Sequence, residues 1–326
     1  MFIKGFSYGF DARAGDYRSP EAVSSIEKLK KAGNEWICIS FIVRQEKFSS
    51  TRINFDYRNT VKDRDVEFAI KKAHELKLKV CLKPVVNCED GVWRAEINFP
   101  DENMMGKDVY WDDWFEHYTA FICHYAEMAE YTKCEMFCVG CEMVSAERKT
   151  SHWRKLIKNT RKLYKGSVIY NANWGSEDNV KWFDAVDYIG TSAYYPVAKK
   201  GGETEENMYK AWQPIKKRVK ELSDKWGKQV IFIEVGCRSA EGCATMPWDF
   251  THKHFPWSEN EQANFYSSCL RTFFDEPWFA GFFWWEWSTK IYSAAKAKTN
   301  KSFNVHGKKA EKVLKKWYSK PRKVKK

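Results

Sequence analysis

Two glutamates follow apolar runs that are typical of buried β-strands. Glu142 comes directly after the run MFCVGC, and Glu234 ends the run VIFIE. A carboxylate among Phe, Ile and Cys side chains is unfavourable unless it has a partner or a chemical task. Lys83 or Arg238 could pair with either glutamate and give it a purely structural role. Two such glutamates at the ends of two strands instead predict a pair of carboxyl groups that act together.

A carboxyl pair of this kind can hydrolyse a glycosidic bond with retention, in two displacements at the anomeric carbon. We expect Glu234 to stay ionised as the nucleophile, with a hydrogen bond from Tyr194 or Tyr195, which follow another apolar run. We expect Glu142 to be the general acid and base, with a pKa raised by an apolar wall and by the charge of Glu234. The two carboxyl groups should then lie about 5–5.5 Å apart.

Polar and aromatic residues follow several other strand-like runs and are candidates for sugar contacts, because a ring face packs well against the C–H face of a pyranose. These candidates are Asn87, Trp93, Arg94, Asn173, Trp174, Tyr194, Tyr195, Trp284 and Trp285. Neighbours on a strand point to opposite faces, so the run FFWWEW should place at least one Trp at the floor of the site. Either Trp284 or Trp285 could be that residue. Asp11 and Glu286 are weaker candidates for binding hydroxyl groups.

Eight strand-like runs alternate with helical stretches and must position these side chains. The runs are short, rich in β-branched or aromatic residues and lack strict alternation, which is typical of strands buried on both faces. They cover residues 3–9, 36–43, 79–86, 134–140, 167–173, 187–195, 229–235 and 280–287. A βα unit repeated eight times, without a Pro- or Gly-rich linker, predicts a single (β/α)8 TIM barrel of the α/β class.

We place this catalytic barrel at residues 1–318 and a basic C-terminal tail at 319–326. Glu142 and Glu234 would then lie at the C-terminal ends of the fourth and seventh barrel strands, where barrel enzymes hold their active sites. A doubly wound open sheet is the alternative fold. Such sheets usually carry a glycine-rich phosphate turn after the first strand, and residues 9–12, GFDA, are not one.

The net charge of +12 is concentrated at the C-terminal end of the chain. Residues 308–326 hold nine Lys, one Arg and one Glu, so the rest of the chain carries only about +3. Enzymes that bind nucleic acids spread positive charge over a binding face instead. The charge pattern therefore indicates a solvated terminus and no nucleic-acid partner.

The ten cysteines are scattered, and several, such as Cys38 and Cys81, lie within apolar runs. Cysteine in such a run behaves as a small buried apolar residue, a usage typical of reducing compartments. No signal-peptide pattern precedes Phe2, and no apolar run reaches the roughly 18 residues of a membrane span. We therefore expect a cytoplasmic monomer without a membrane partner; a leader removed ahead of the first residue would instead imply secretion.

Cys134, Cys138 and Cys141 have the spacing of an iron–sulfur site in radical enzymes. Such ligands need a flexible loop, whereas these three lie in and just after a strand, with Cys141 of opposite parity to the other two. The seven histidines are dispersed and form no HExxH helix. We therefore expect neither a metal nor another cofactor.

The chain resembles glycoside hydrolase family 113 of clan A over residues 3 to 290. The likeness is carried by GFSYG, AHELKLKVCLKP, the WR at 93–94, VGCEMVS, YNANW, AYYP, IFIEVGCRS, the PW at 247–248 and FFWWEW. The resemblance implies a barrel enzyme that acts on β-1,4-mannan or manno-oligosaccharides with retention. It implies Glu142 as acid/base and Glu234 as nucleophile. It also implies sugar contacts by Tyr194 or Tyr195, Asn173, Trp174 and Trp285.

Two departures from the family pattern affect individual contacts. Cys141 precedes the acid/base, where much of the clan has Asn and the family often has Thr, so this position offers no side-chain amide for the substrate 2-hydroxyl. After the third strand the chain reads KPVVNCEDG, without the His and Asp that the family has near 85 and 87.

The sequence thus predicts a retaining hydrolase of β-1,4-mannosidic bonds in mannan or manno-oligosaccharides, with transglycosylation as a variant. One alternative is a clan A barrel hydrolase acting on another β-glycan, as an exo-β-mannosidase or a β-glucanase. The alternative from a different class is a non-catalytic carbohydrate-binding barrel. Such a barrel would keep the aromatic residues and lose one carboxylate, whereas both are present here.

Overall fold

The computed structural model describes residues 2–55, 58–101, 108–251 and 254–324. Their strands are β1 (Ile3–Tyr8), β2 (Trp36–Gln45), β3 (Ile53–Asn54), β4 (Lys79–Cys88), β5 (Met136–Cys141), β6 (Ser167–Asn173), β7 (Tyr188–Ser192), β8 (Val230–Val235) and β9 (Phe279–Trp287). All but β3 are parallel neighbours in the order β1-β9-β8-β7-β6-β5-β4-β2, and β1 also pairs with β2. This pairing closes the sheet into an eight-stranded barrel. The predicted fold class is confirmed.

Helices cover the outside of the barrel. They are α1 (Pro20–Lys31), α2 (Asp63–Glu75), α3 (Val109–Tyr131), α4 (Thr150–Leu163), α5 (Glu205–Trp226), α6 (Glu259–Phe273), α7 (Ala294–Ala297) and α8 (Lys309–Tyr318). Helix α1 begins where its sequence predicts, because the side chain of Ser19 accepts a hydrogen bond from the backbone N–H of Ala22 over 3.1 Å. Among the described residues, no helix combines the length and apolar character that crossing a membrane requires.

The connection between β6 and β7 differs from the predicted βα repeat. It contains two 3-10 turns, Glu177–Asn179 and Phe183–Ala185, in place of an α-helix. The ring of Trp182 is fully buried and stacks on Trp153 of α4 with centroids 4.8 Å apart. Large aromatic side chains thus cover the outer face of the barrel here, so a long helix is not required.

The lower half of the barrel interior is a compact apolar cluster. Its members point inward from several strands: Ile3, Trp36, Cys38, Cys81, Met136, Cys138, Ile169, Ile231, Ile233, Ala280 and Phe283. Three of these are thiols, which agrees with the interpretation of strand cysteines as small apolar residues. The polar residues of the candidate site lie above this cluster, towards the C-terminal ends of the strands.

The described part of the predicted basic tail packs against the opposite end of the barrel. The guanidinium group of Arg322 donates hydrogen bonds to the carbonyl groups of Phe274 and Glu276, over 2.6 and 2.7 Å. The same group lies 4.0 Å from the centroid of the Phe2 ring. Residues 325–326 of the tail lie outside the described residues, and the boundary at residue 318 stays a prediction.

Candidate active site

Irregularities near the ends of two strands turn the two glutamates towards the barrel axis. On β8, Ile231 and Ile233 point inward, so strict alternation would place Glu234 outside. The pairing of β8 with β7 and β9 shifts register before its end, and Val235 belongs to the outer core. A β-bulge of this kind re-aims a side chain, and it brings Glu234 into the barrel.

The end of β5 contains a similar irregularity in strand pairing. Cys138 points inward, the pairing with β6 shifts register before Cys141, and the Cys141 thiol also lies inside the barrel. Gly140 between them faces outward, where an added Cβ would come within 2.9 Å of the rings of Trp153 and Tyr170. Glycine is therefore required for this close approach.

Glu142 follows β5 in a backbone conformation that is unusual for a residue with a side chain. Its φ is 54°, in the left-handed region, and its backbone N–H donates to the carbonyl oxygen of Asn171 over 2.7 Å. Such a conformation costs about 1–2 kcal/mol for a residue with a Cβ. Strained residues cluster at functional sites, so the conformation supports a functional role for Glu142.

Hydrogen-bond donors hold both carboxylate oxygens of Glu234. The ammonium group of Lys83 and the amide of Asn171 donate to Oε1, the latter over 3.2 Å, and the Cys141 thiol lies 3.4 Å from the same atom. The hydroxyl of Tyr194 donates to Oε2 over 3.1 Å. The orientation of the carboxylate is therefore fixed before any substrate arrives.

These contacts keep Glu234 ionised. Burial by itself would raise the pKa of this carboxyl group, but the positive charges of Lys83 and Arg94 outweigh burial and lower the pKa. Burial also raises the pKa of the Tyr194 hydroxyl well above its usual range, so this hydroxyl remains a hydrogen-bond donor. An ionised, oriented carboxylate is what a nucleophilic displacement requires.

Glu142 has the opposite electrostatic environment, although it also contacts a cation. Burial raises the pKa of its carboxyl group, the charge of Arg94 opposes the rise, and the negative charge of Glu234 adds to it. The net pKa is above that of an ordinary carboxyl group. Two neighbouring carboxyl groups whose environments move their pKa values in opposite directions are the pattern of an acid paired with an anion.

Arg94 is buried, and three hydrogen bonds to oxygen atoms hold it beside Glu142. Its Nη2 donates to Oε2 of Glu142 over 2.6 Å, and its Nη1 donates to Oδ1 of Asn87 over 2.9 Å. Its Nε donates to the carbonyl oxygen of Cys141 over 3.1 Å. Arg94 and Asn87, both predicted as sugar contacts, thus form the support of the candidate acid.

The two tryptophans at the end of β9 have different positions. Trp285 is half-buried inside the barrel, with its ring 5.5 Å from the Lys83 ammonium and 4.9 Å from the ring of Phe10. Trp284 is fully buried in the outer core, where its ring stacks on Tyr266 at 4.1 Å. The prediction of Trp284 as a sugar contact is therefore wrong, because alternation along β9 turns it away from the site.

The two tyrosines after β7 also separate. Tyr194 contacts Glu234, whereas the hydroxyl of Tyr195 donates to Glu177 on the outer side of the barrel. Glu177 also accepts hydrogen bonds from Thr191 and Arg218. Tyr195 therefore supports the β6–β7 connection, and its prediction as a sugar contact is corrected.

Aromatic rings line the rim beyond the two carboxyl groups. Trp174 stacks on Trp248 with centroids 5.1 Å apart and planes inclined by 24°. Trp248 is 41% exposed and Trp93 is 44% exposed, so their faces are open to a ligand. Asn173 beside them uses its amide to donate to the carbonyl oxygen of Trp174 over 3.3 Å. Exposed ring faces of this kind can pack against the C–H face of a sugar unit.

A cavity of about 570 Å³ opens at the same end of the barrel, between the ends of β1, β2 and β4. Phe10 and Asp11 line it, and Phe10 contacts Trp285. Glu286 lies next to Trp285, and burial together with the charges of Asp11 and Glu234 raises its pKa to about 8. A carboxyl group that is protonated near neutral pH can donate a hydrogen bond to a sugar hydroxyl.

The sequence predicts Lys83 only as a structural partner and does not single out Asn171. Asn171 lies on the same face of β6 as the inward-pointing Ile169 and the predicted Asn173. A polar residue on the inner face of an otherwise apolar run was the signal that could have identified it. The other suggested partner, Arg238, donates instead to the carbonyl groups of Lys301 and Phe250.

The three cysteines with iron–sulfur spacing have separate surroundings. The Cys134 thiol lies 3.5 Å from the hydroxyl of Thr132, whereas the Cys141 thiol lies next to Glu234. Within the described ranges, no three His, Cys, Asp or Glu side chains converge in a way that could hold a metal ion.

Comparison with known proteins places this site in a family. The model described as Glycoside Hydrolase Family 113 matches residues 6–308. A GH113 β-1,4-mannanase solved as a complex is 36% identical, with 98% of this chain and 99% of that chain covered and a TM-score of 0.90. The GH113 β-mannanase AaManA from Alicyclobacillus acidocaldarius, in complex with ManMIm, is 38% identical, with 98% and 97% covered and a TM-score of 0.89.

More distant structures share the fold alone. The β-glucuronidase of Ruminococcus gnavus is 13% identical with a TM-score of 0.64, and the match covers 98% of this chain and 50% of that chain. No curated protein sequence matches the chain. The family match contains both Glu142 and Glu234 and extends over nearly the whole barrel that positions them. The chain therefore belongs to glycoside hydrolase family 113.

Proposed function

We propose that this protein hydrolyses β-1,4-mannosidic bonds in mannan or manno-oligosaccharides with retention, using Glu234 as nucleophile and Glu142 as general acid and base. The observation that carries the proposal is that the two buried carboxyl groups have different partners: Lys83, Asn171 and Tyr194 donate to Glu234, whereas Arg94 donates to Glu142. The resulting directions of their pKa values, lowered for Glu234 and raised for Glu142, agree with a nucleophile and an acid. The choice of mannosides is supported by the related β-mannanases, which are 36% and 38% identical over almost the whole chain.

In the first displacement, Glu234 attacks the anomeric carbon while Glu142 gives its proton to the departing glycosidic oxygen. Tyr194 and Asn171 keep the attacking carboxylate oriented, because each donates to one of its oxygens. The ring of Trp285, half-buried beside Lys83, forms the floor on which the reacting sugar lies. The product is a glycosyl ester of Glu234, and the leaving sugar departs along the rim.

In the second displacement, Glu142 is ionised and accepts a proton from the incoming water. Its pKa falls at this stage because esterification removes the negative charge of Glu234, which raises it in the free enzyme. The ester bond to Glu234 breaks as the water oxygen binds the anomeric carbon. The same carboxyl group thus acts first as acid and then as base.

Transglycosylation is a second activity that one feature of the rim favours. The stacked pair of Trp174 and Trp248, with Trp248 41% exposed, offers a platform beside the site for an acceptor sugar. A bound acceptor at the glycosyl–enzyme stage competes with water for the anomeric carbon. Products longer than the substrate would demonstrate this activity.

The test is product analysis over time on mannohexaose, with cellohexaose and xylohexaose beside it. We expect cleavage of mannohexaose with the β-anomer as the initial product. Cleavage of cellohexaose or xylohexaose in preference would contradict the mannoside assignment and favour another β-glycan. Release of mannose alone from the first time point would show an exo-acting enzyme. Binding of mannohexaose without any product would leave a carbohydrate-binding barrel.

A further inference from the structure

Two buried cations each face one of the two carboxyl groups. Lys83 is fully buried and its ammonium contacts Oε1 of Glu234, and Arg94, 8% exposed, donates to Oε2 of Glu142 over 2.6 Å. Neither cation attacks carbon or transfers a proton in the double displacement. A buried ion pair is weak evidence for a stabilising role, since apolar replacements are often as stable. The presence of both cations therefore requires a functional explanation.

The ammonium group of Lys83 has the carboxylate of Glu234 as its counter-ion. Among the described residues, Glu234 is its one hydrogen-bond acceptor. Other groups near the ammonium include the thiols of Cys38, Cys138 and Cys141 and the ring of Trp285, none of which carries a full negative charge as a carboxylate does. When Glu234 becomes a neutral ester, this ammonium is left as an uncompensated buried charge, which is strongly unfavourable.

Arg94 is held differently, because three of its four hydrogen bonds do not involve Glu142. The carbonyl oxygen of Cys141 and Oδ1 of Asn87 accept from it in any protonation state of Glu142. The guanidinium group therefore keeps its position when Glu142 is protonated. It is already in place when Glu142 becomes a carboxylate.

The reaction moves one negative charge between these two cations. In the first displacement, an oxygen of Glu234 forms a bond to the anomeric carbon, the bond to the leaving oxygen breaks, and that oxygen takes the proton of Glu142. Negative charge thus leaves the side of Lys83 and arrives beside Arg94. In the second displacement, Glu142 takes a proton from water, whose oxygen binds the anomeric carbon as the ester bond to Glu234 breaks. The charge then returns to Lys83.

We propose that Lys83 and Arg94 are positioning residues of opposite effect, with Lys83 stabilising the free enzyme and Arg94 stabilising the glycosyl–enzyme. This inference rests on the proposed double displacement. Lys83 accelerates departure of the sugar from Glu234, because breaking the ester restores its counter-ion. Arg94 accelerates formation of the ester, because it accepts the charge that appears on Glu142. The lifetime of the intermediate is set by the balance of the two.

Other groups also face the two carboxyl groups and remain constant in the tests below. Those around Glu234 are Cys38 from β2, Cys138 and Cys141 from β5, Asn171 from β6, Tyr194 after β7 and Glu286 from β9. The charges of Arg94 and Glu142 also act on Glu234. Besides Arg94, those that act on Glu142 are Glu234, Lys83 and Ser192. The substitutions of Lys83 and Arg94 leave these groups in place, so a change can be assigned to the removed cation.

The first experiment compares Lys83→Met with Arg94→Met on dinitrophenyl β-mannobioside, whose leaving group departs without a proton. Lys83→Met is expected to release a burst of dinitrophenol stoichiometric with enzyme, because the glycosyl–enzyme accumulates. On this substrate Arg94→Met is expected to show no burst and an unchanged first step, because no proton leaves Glu142. On mannohexaose, whose leaving oxygen takes that proton, the first step of Arg94→Met is expected to be slower. Reactivation of enzyme trapped by a fluorinated mannosyl fluoride should slow about tenfold or more in Lys83→Met. Equal loss in both steps without a burst, or a burst in Arg94→Met, overturns the assignment.

The dependence of kcat/KM on pH distinguishes the proposed role of Lys83 from a purely structural one, because loss of a structural lysine would not change the pKa of Glu234. The acid limb of kcat/KM reports ionisation of Glu234, and it should move to higher pH in Lys83→Met and stay in place in Lys83→Arg. Lys308→Met is the matched control, because Lys308 is also buried but donates to Ser239, Asn300 and Ser302 and, within the described ranges, to no carboxylate. This control should show no burst and an unmoved acid limb; a moved limb in it contradicts the specific role of Lys83.

The pairing of Lys83 with Glu234 can also be measured through Tm, in variants that have no activity. Glu234→Gln should lower the Tm of the parent, because it leaves the Lys83 ammonium unpaired, and should lower it less in the Lys83→Met background. Equal changes in both backgrounds overturn the dependence of Lys83 on Glu234. If even the parent forms no adduct with the fluorinated sugar, the double displacement itself is wrong. An adduct of equal lifetime in all variants overturns only the charge assignment.

Discussion

The hydroxyl of Tyr194 lies 3.1 Å from Oε2 of Glu234 and donates a hydrogen bond to it. The neighbouring hydroxyl of Tyr195 donates to Glu177 on the other side of the sheet. Consecutive residues of one loop thus serve a reactive carboxylate and a structural one. This arrangement offers a matched pair of substitutions that differ only in which carboxylate loses a donor.

Tyr194→Phe is expected to lower kcat/KM by about 10- to 100-fold, since a hydrogen bond to a charged group contributes about 1.5–3 kcal/mol. The pKa of Glu234 should rise, so the acid limb of the profile should move to higher pH. Activity of the variants against pH is the measurement. Tyr195→Phe should change Tm and leave the acid limb in place; a moved limb in this control would contradict the separation of the two hydroxyls.

Glu234→Ala is expected to abolish hydrolysis of mannohexaose while leaving the fold intact. Removal of the carboxylate leaves space beside the anomeric carbon, so azide should attack an activated β-mannoside from the same side as the missing nucleophile. The product should then be an α-mannosyl azide, identified by NMR. A β-azide from this variant would show that Glu234 is not the nucleophile.

Glu142→Ala is expected to reduce turnover of natural oligosaccharides far more than turnover of dinitrophenyl β-mannosides. The difference arises because a dinitrophenolate leaves without protonation, whereas a sugar alkoxide requires an acid. Azide should rescue this variant with formation of a β-mannosyl azide. Equal losses on natural and activated substrates would undo the assignment of Glu142 as acid.

Trp284→Ala and Trp285→Ala are expected to fail in different ways. Trp284 is fully buried, so its removal should lower the free energy of unfolding by about 3–5 kcal/mol. Trp285 is half-buried in the site, so its loss should act mainly on kcat/KM for mannohexaose. Chemical denaturation and kinetics on the same preparations check both. A stable Trp284→Ala protein with defective kinetics would reverse the positions of the two rings.

Lys308 links stability to pH in a defined window. Burial lowers its pKa from 10.5 to about 7, so between these values the folded protein is neutral at this site while the unfolded chain holds a proton. The free energy of unfolding contributed by this site therefore rises as pH increases from 7 to 10.5. The difference in unfolding free energy between the parent and Lys308→Met, followed across that window, measures it. A difference independent of pH would show that Lys308 keeps its proton when folded.

The apolar runs predicted the eight barrel strands because strands buried on both faces are recognisable by composition. The predicted ends of the strands were less accurate. For the run at 187–195, the strand ends at Ser192, before Tyr194. The missing helix between β6 and β7 was not predictable. Whether buried rings such as Trp182 can replace it depends on packing against α4, which local sequence does not encode.

The alternation of side chains along a strand explains which site residues were predicted correctly and which were not. The sequence predicted that Trp284 and Trp285 point to opposite faces but did not determine which one points inward. For Glu234 the same rule would have given the wrong face, since Ile233 points inward and a bulge follows it. Bulges arise from pairing between strands that are distant in sequence, so a single run does not reveal them.

The left-handed backbone of Glu142 makes this position a conflict between activity and heat resistance. A φ of 54° suits glycine or asparagine better than glutamate. Once Arg94→Met has removed the guanidinium that would lose its partner, Glu142→Gly or Glu142→Asn should therefore give a protein that melts above its own parent. A directed-evolution library selected for thermal stability alone would therefore enrich inactive variants at position 142. Only selection that also demands turnover would retain the glutamate.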